Sequence, residues 1–370
     1  MIDRMSTRAT RVQPLVQPAV LGNQTANPMA SRFAKSDLVS GSTSKTSSQI
    51  SNPQEMMREL VGADLLRVES TLVDVLRSEY PEVNDVASRA ASLGGKRLRP
   101  CLALLSAMAV GQCDEDSIRV AATVELVHAA SLVHDDVLDN ATLRRHQPTI
   151  HAQVGPHRSI VLGDFLFTRA YGLAAQCRST LAARNIASAA SELCEGELRQ
   201  HSSVGNWNIT EAEYFDILRQ KTGELCAVSC RLGAWSGRGD SEAARALSQF
   251  GRKLGVAFQV VDDWLDLWGT TQVGKTLGTD LSQRKPTLPV IRLLSLCSMA
   301  ERTELIRMLN DEAQHDEVRR LLNNSDAAAY SLKRASRLVQ SALADLRLLP
   351  QSPARQCLEG IAELCISRAA

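Results

Sequence analysis

The same short acidic cluster occurs twice in this chain of 370 residues. Each cluster has carboxylates at positions i, i+1 and i+4: Asp135, Asp136 and Asp139 in the first, and Asp262, Asp263 and Asp266 in the second. Both clusters lie in apolar stretches without turn residues, which predicts helices, and at about 100° per residue these positions share one helix face. Like charges at this spacing repel, and a buried carboxylate without a partner is costly. The pattern therefore predicts a cation between the two acidic faces.

Carboxylate oxygens with room for water and phosphate suit Mg²⁺, which proteins hold through one or two carboxylates and substrate phosphates. Cationic residues that could hold phosphates lie around the clusters: Lys96, Arg97 and Arg99 in GGKRLRP, then Arg144, Arg145, Lys221, Lys275 and Lys285. Glycines before a basic segment allow a tight turn, and the cations supply charge-assisted hydrogen bonds. Taken alone, GGKRLRP is also typical of a solvated basic turn. The pair Arg144 and Arg145, taken alone, is also typical of structural ion pairs. Together they fit a site for two diphosphates around a Mg²⁺ cluster.

The bulk composition excludes several classes of protein. Apolar residues make up 44% of the chain and charged residues 22%, and the formal charge is +1, which favours neither nucleic acid nor an anionic membrane surface. No apolar run approaches the roughly 18 residues of a membrane span. The 9 cysteines form no CxxC pair, which favours reduced thiols in a cytoplasmic protein. Cys226 and Cys230 lack further zinc ligands and are expected to be core residues.

The chain divides into two parts of different composition. Residues 1–55 are rich in Ser, Thr, Gln and Asn and lack periodicity, which predicts a disordered tail. Arginines in this tail leave open an organelle transit peptide, although they form no sustained amphipathic stripe. Residues 56–370 repeat apolar positions at helical spacing almost throughout, with breaks at glycine and proline. We therefore expect one all-α domain with two facing metal-binding helices.

The order of the motifs resembles a known family. GGKRLRP, DDVLD with the following arginine pair, GDFL at 163–166, KTG, FQVVDDWLD and GKTLGTD occur in the order and approximate spacing of the trans-isoprenyl diphosphate synthases, the polyprenyl synthetase family. The resemblance covers the chain from just after the tail to its C-terminus. It implies a helical bundle of the isoprenoid synthase type with a central cavity, and a homodimer. The implied activity is Mg²⁺-dependent condensation of isopentenyl diphosphate with an allylic diphosphate.

The resemblance also implies a role for each site residue. The Mg²⁺ ligands would be Asp135, Asp139 and Asp262, with Asp136, Asp263 and Asp266 acting behind them or through water. The allylic diphosphate would be held by Arg144, Lys221 and Lys275, and isopentenyl diphosphate by Lys96, Arg99, His128 and Arg145. Thr222 and Gln259 would lie near the forming carbocation, and Lys285 would close the site over the leaving diphosphate. A helix histidine such as His128 is otherwise usually a packing residue.

Four other interpretations start from the same residues. GTTQVGKT at 269–276 matches a phosphate-loop pattern, but the preceding VVDDWLDLW cannot be the buried strand that such a loop follows. A terpene cyclase would not need GGKRLRP or Arg145, because it binds no second diphosphate. A non-catalytic subunit of a heteromeric synthase could lose one acidic cluster, whereas both are complete here. A synthase with a shorter product remains the fourth alternative.

Product length is expected to depend on the helix that carries Asp135. Ala130 and Ser131 lie one turn before it on the same face, and both are small. Short-product members of the family, as the resemblance implies, place aromatic residues there as a floor. An open floor predicts a long product that serves as a quinone side chain. Small residues could instead only permit close helix packing, and Phe167 or Tyr171 could block growth elsewhere.

Overall fold

Helix α1 (Pro53–Val75) begins within the last three residues of the predicted tail. The computed structural model describes residues 53–91, 95, 97–144, 147–269 and 277–369. The predicted tail lies almost entirely outside these residues, as do Lys96, Arg145 and Lys275 among the predicted site residues. The division of the chain at residue 56 therefore stays a prediction.

Helices make up about 80% of the described chain and strands almost none, which confirms the all-α fold class. The first half contains α1 (Pro53–Val75), α2 (Pro81–Ala91), α3 (Leu98–Val110), α4 (Glu115–Leu138), α5 (Ile150–Val154), α6 (Pro156–Ala175) and α7 (Leu181–Ser202). The second half contains α8 (Glu211–Leu218), α9 (Glu224–Ser236), α10 (Ser241–Trp268), α11 (Thr279–Ser282), α12 (Leu288–Leu296), α13 (Met299–Leu309), α14 (His315–Asn323), α15 (Ala327–Leu346) and α16 (Pro353–Ser367). A π-helical turn (Arg219–Gly223) joins α8 to α9, and a 3₁₀ turn (Glu312–Gln314) precedes α14. Strands β1 (Leu143–Arg144) and β2 (Gln147–Pro148) pair antiparallel.

Local sequence signals explain where several helices begin. The Asp114 carboxylate accepts from the backbone N–H of Ser117 at the start of α4, and the Ser117 hydroxyl accepts from the Asp114 N–H. Thr210 and Glu213 form the same reciprocal cap at α8. Such caps satisfy backbone donors that the first helical turn leaves without partners. They fix the starting points of the helices that carry or face the acidic clusters.

The two acidic clusters lie near the C-terminal ends of α4 and α10. Helix α4 packs against α1, α3, α6 and α9, and α10 packs against α9, α15 and α16. Close approach needs glycine at two contacts: a Cβ at Gly233 would lie 2.1 Å from the Ala103 carbonyl oxygen, and one at Gly251 would lie 2.4 Å from the Cys226 carbonyl oxygen. Cys226 and Cys230 are buried free thiols, as expected of core residues. Helix α9 thus spaces the two cluster-bearing helices.

A second apolar cluster surrounds α12, α13 and α14. It contains buried residues such as Leu281, Val290, Val318 and Leu322.

None of the helices in the described ranges has the length and apolar character that crossing a bilayer requires. The segment before Gly269 is the helix α10, so the phosphate-loop alternative lacks its strand.

Candidate active site

The first acidic cluster lies where α4 ends and the β1–β2 hairpin begins. Asp136 is buried, and Arg144 from β1 donates to its Oδ1 atom through Nε at 2.9 Å and Nη2 at 2.8 Å. Burial raises the pKa of Asp136, and Arg144 opposes that rise. The Asp136 Oδ2 atom is buried and has no hydrogen-bond partner within the described residues. Arg144, predicted to hold a diphosphate, thus first pairs with a carboxylate of its own cluster.

The carboxylates of Asp135 and Asp139 have weaker contacts with cationic side chains than the Asp136 carboxylate has with Arg144. Burial raises the pKa of Asp135 to about 6, and the Lys221 ammonium opposes this rise through space. No hydrogen bond or ion pair reaches the Asp135 carboxylate from the part of the chain that is described. The Asp139 carboxylate accepts from Lys285 Nζ at 3.2 Å. Lys285 therefore reaches the first cluster from a segment that follows the second one.

Each of the three carboxylates in the second acidic cluster has its own set of partners. Arg368, just after α16, donates to Asp262 Oδ1 at 2.8 Å, and its guanidinium lies 4.3 Å from the centre of the Phe258 ring. Asp266 accepts from the backbone N–H groups of Thr279 and Asp280, both at 3.1 Å. Asp266 thereby fixes the start of the short helix α11 to the end of α10.

Asp263 is the most enclosed member of the second cluster. It accepts from the Tyr214 hydroxyl at 2.7 Å and from Gln259 Nε2 at 2.9 Å. Burial raises the pKa of Asp263 to about 6, and these two hydrogen bonds oppose the rise. A cavity of about 20 Å³, enough for one water molecule, is lined by Tyr214, Asp263 and Lys285 among others.

The π-helical turn contains the KTG motif, whose polar side chains are Lys221 and Thr222. Lys221 Nζ lies 2.6 Å from Gln200 Oε1 and 2.6 Å from Glu197 Oε2, both on α7. Burial disfavours the Lys221 ammonium, but Asp135 and Glu197 outweigh it, so the pKa of Lys221 is raised. Thr222 Oγ1 donates to Gln259 Oε1 at 3.4 Å. The structure thus brings together Thr222 and Gln259, which were predicted to flank one carbocation.

The basic segment GGKRLRP contributes differently from what its charges suggested. Arg97 has a left-handed backbone (φ 49°) and donates to Glu69 at 2.6 and 3.0 Å and to Glu125 at 2.7 Å. Its guanidinium is therefore engaged in joining α1, α3 and α4. Arg99 is half-buried, and its Nε atom is buried without a partner within the described residues. His128 is half-buried on α4.

Sequence reasoning missed Glu197, Gln200, Tyr214 and Arg368. Glu197 and Gln200 are three residues apart on α7, so they share a helix face. That spacing was a usable signal, but which element they face depends on how α7 packs. The structure also explains why the GDFL motif has a glycine at position 163, because a Cβ on Gly163 would lie 2.1 Å from His134 Nε2.

The profile described as "Polyprenyl synthetase" matches residues 80–325, which is more than half of the chain. The chain belongs to the polyprenyl synthetase family. The expectation of a trans-prenyltransferase that elongates a polyprenyl chain is thereby confirmed, and the phosphate-loop alternative is excluded.

Individual members of the polyprenyl synthetase family match most of the chain. An octaprenyl diphosphate synthase of Haemophilus influenzae is 34% identical, covering 84% of this chain and 96% of its own. A geranylgeranyl pyrophosphate synthase of Geoglobus acetivorans is 32% identical, and the match covers 85% of this chain and 99% of that enzyme. A crystal structure of polyprenyl synthase from Caulobacter crescentus, complexed with calcium and isoprenyl diphosphate, is 33% identical with a TM-score of 0.81, covering 87% of this chain and 100% of its own.

Proposed function

We propose that this enzyme condenses isopentenyl diphosphate with an allylic diphosphate in trans, with Mg²⁺, and that its product becomes a quinone side chain. The observation that carries the proposal is an indirect link between the two acidic clusters. Lys285 Nζ lies 3.2 Å from Asp139, and the segment that carries Lys285 begins at backbone groups bound by Asp266. This link supports our assignment of both carboxylate clusters to one site.

The residues present fit Mg²⁺ in chemistry. Within the described residues, no group of three or more histidine, cysteine or carboxylate side chains is close enough to hold a metal ion. Mg²⁺ needs no such cage, because it is typically held by one or two carboxylates together with substrate phosphates. Asp135 is a half-buried carboxylate with a raised pKa and no direct partner in the described part. Asp135, Asp139 and Asp262 are our proposed ligands, and Mg²⁺ would neutralise charge that grows on the leaving diphosphate.

The cations of the chain would divide the two diphosphates between them. On the allylic side we place Arg144, Lys221 and Lys275, with Lys285 closing over the leaving group. On the isopentenyl side we place Lys96, Arg99, His128 and Arg145. Lys285 now pairs with Asp139, so a metal ion bound by Asp139 would free this ammonium for phosphate oxygens. Arg144 pairs with Asp136, which is not a proposed ligand, and would reach phosphate oxygens from that pair.

The reaction breaks the allylic C–O bond and gives a delocalised cation and pyrophosphate. Preorganised cations stabilise the growing negative charge, which is a large part of such catalysis. The Thr222 hydroxyl oxygen and the Gln259 amide oxygen lie together beside the site, where they could stabilise the cation. The C4 carbon of isopentenyl diphosphate then attacks, and the proton lost from C2 leaves with the pyrophosphate. No side-chain base is needed.

The test compares aspartates of similar environment inside and outside the site. Asp262 and Asp345 are both about one-fifth exposed, and each pairs with one cation, Arg368 or Lys253. Asp262→Asn and Asp135→Asn should cut incorporation of labelled isopentenyl diphosphate by about 10²–10³-fold, while Asp345→Asn should stay near wild type. Chelation by EDTA should abolish turnover, and Mg²⁺ should restore it. Near-normal turnover of either site variant at saturating Mg²⁺ would overturn the metal assignment.

Relatives alone do not determine product length. The octaprenyl and geranylgeranyl enzymes are 34% and 32% identical to this chain, although their names state different products. We propose a long product because small residues precede Asp135. Ala130 is fully buried, and the Ser131 hydroxyl donates to the His128 carbonyl at 2.9 Å.

We further propose that two copies pair through α6 and α7. Val161 on α6 and Leu198 on α7 are 66% and 70% exposed, and these helices pack against each other. Exposed apolar side chains that cluster on one face are typical of protein interfaces. We place the enzyme in the cytoplasm, with residues 1–55 as a tail and 56–370 as the catalytic domain. If the tail is a transit peptide, an organelle is the alternative.

A further inference from the structure

Arg319 on α14 forms no ion pair with a carboxylate of its own helix. No carboxylate in the described ranges lies within ion-pairing distance of Arg319, whereas its neighbour Arg320 pairs with Glu317. Arg319 is half-buried, and its Nε atom is buried without a partner within the same residues. Keeping an uncompensated guanidinium there is costly, so the contact that it does make needs a reason.

That contact is with the backbone of the segment after α10. Arg319 Nη2 donates to the Leu277 carbonyl at 2.8 Å. The next residue, Gly278, has φ +77°, and a Cβ there would lie 1.7 Å from Arg319 Nη2. Only glycine combines this left-handed conformation with the close approach of the guanidinium. The arginine and the glycine are thus matched to each other.

The same segment ends at Lys285. The Asp266 backbone carbonyl accepts from the Gly278 N–H at 2.7 Å, and the Asp266 carboxylate binds the next two N–H groups. The Asp280 carbonyl accepts from the Lys285 N–H at 2.8 Å, and Lys285 Nζ reaches Asp139. A continuous series of hydrogen bonds therefore runs from Arg319 to the first acidic cluster.

The buried apolar face of α14 holds Arg319 in place. Val318 and Leu322, on either side of Arg319, are 0% and 1% exposed in the second apolar cluster. Asp266 holds the segment from the side of α10, and Arg319 holds it from the side of α14. Beside Lys285, the Gly205 N–H donates to the Arg284 carbonyl at 2.9 Å, so Arg319 and Asp266 are the supports at the start of the segment.

We propose that Arg319 is a positioning residue for Lys285. It touches no substrate; it holds the backbone at Leu277 and Gly278, so that Lys285 points at Asp139. This inference rests on the proposed function of Lys285 over the leaving diphosphate. Displacements of about 1 Å by distant substitutions can reduce turnover strongly, so a loss of this support should be measurable.

A double-mutant cycle tests the proposal, because residues that act through one another are not additive. The purified full-length variants are Arg319→Gln, Lys285→Gln, the double variant, and Arg320→Gln as the control on the same helix. We measure kcat, KM for both substrates and Tm. Arg319→Gln should lower kcat by about tenfold and leave KM for isopentenyl diphosphate within about twofold. Arg320→Gln should behave as wild type. In the Lys285→Gln background, Arg319→Gln should add less than about twofold.

The variant Arg319→Lys distinguishes loss of the contact with Leu277 from general misfolding. It keeps a cationic donor for the Leu277 carbonyl and should therefore recover most of the kcat that Arg319→Gln loses. Additive losses in the double variant, or a wild-type kcat for Arg319→Gln, would overturn the role of Arg319. A wild-type kcat for Lys285→Gln would instead overturn the proposed role of Lys285, and the inference with it. The same four proteins therefore separate the two failures.

Discussion

Arg97 and Arg99 are two residues apart in one basic motif, yet the structure predicts different consequences for their loss. Arg97 is 14% exposed and donates to Glu69 and to Glu125, which are 31% and 8% exposed. Arg99 has no such carboxylate partners among the described residues. Replacing Arg97 by glutamine should therefore damage folding, whereas the same replacement at Arg99 should damage substrate binding.

The size of the folding effect follows from the burial of Glu125. Removing one partner of a buried ion pair costs about 3–5 kcal/mol, because the other charge stays buried without compensation. Glu69 is more exposed, and its lost pairing adds less than about 1 kcal/mol. Arg97→Gln should thus lower the free energy of unfolding by about 3–5 kcal/mol. Arg97→Gln with Glu125→Gln should recover part of this loss, since neither buried charge then remains.

Two measurements separate the arginines. Urea unfolding gives the free energy of unfolding, and initial rates give KM for isopentenyl diphosphate. Arg99→Gln should raise that KM by about 10–100-fold, from a lost charge-assisted contact of about 1.5–3 kcal/mol, with little change in urea midpoint. An unchanged urea midpoint for Arg97→Gln, together with a raised KM, would show that Arg97 binds substrate and that its ion pairs are incidental.

Three further outcomes can be checked with single variants. Ala130→Phe should shorten the product seen by chromatography after dephosphorylation; an unchanged product would place the growing chain elsewhere. Val161→Asp should shift the protein from dimer to monomer in light scattering, whereas Leu66→Asp, at a 62% exposed leucine on α1, should not; a dimeric Val161→Asp variant would argue against the α6–α7 surface. Tyr214→Phe should cost about 1.5–3 kcal/mol of stability in urea, because it removes a hydrogen bond to the buried Asp263 carboxylate; no loss would mean that water replaces the hydroxyl.

The sequence predicted the helices because helix formation depends on short-range spacing, read here from apolar periodicity and glycine breaks. The common direction of the three aspartates in each cluster stays a prediction. In the second cluster the three carboxylates have separate partners. The division of labour between Arg97 and Arg99 was not predictable, because it depends on the left-handed backbone at Arg97 and on acids from two other helices. Glu197 and Arg368 were missed for the same reason. Their partners Lys221 and Asp262 lie on elements brought close only by the packed bundle.

The π-helical turn between α8 and α9 makes the site sensitive to the number of residues in this segment. The chain from Glu211 to Ser236 is helical without interruption, and a π turn holds one residue more than an α turn needs. Deleting one residue there would convert the π turn into an α turn and keep α8 and α9 in phase with each other. The deletion would, however, move the side chains within the turn, which include Lys221 and Thr222. The site is thus sensitive to a change in residue number at this position. Insertions and deletions, rather than substitutions, are the changes that this part of the enzyme should tolerate least.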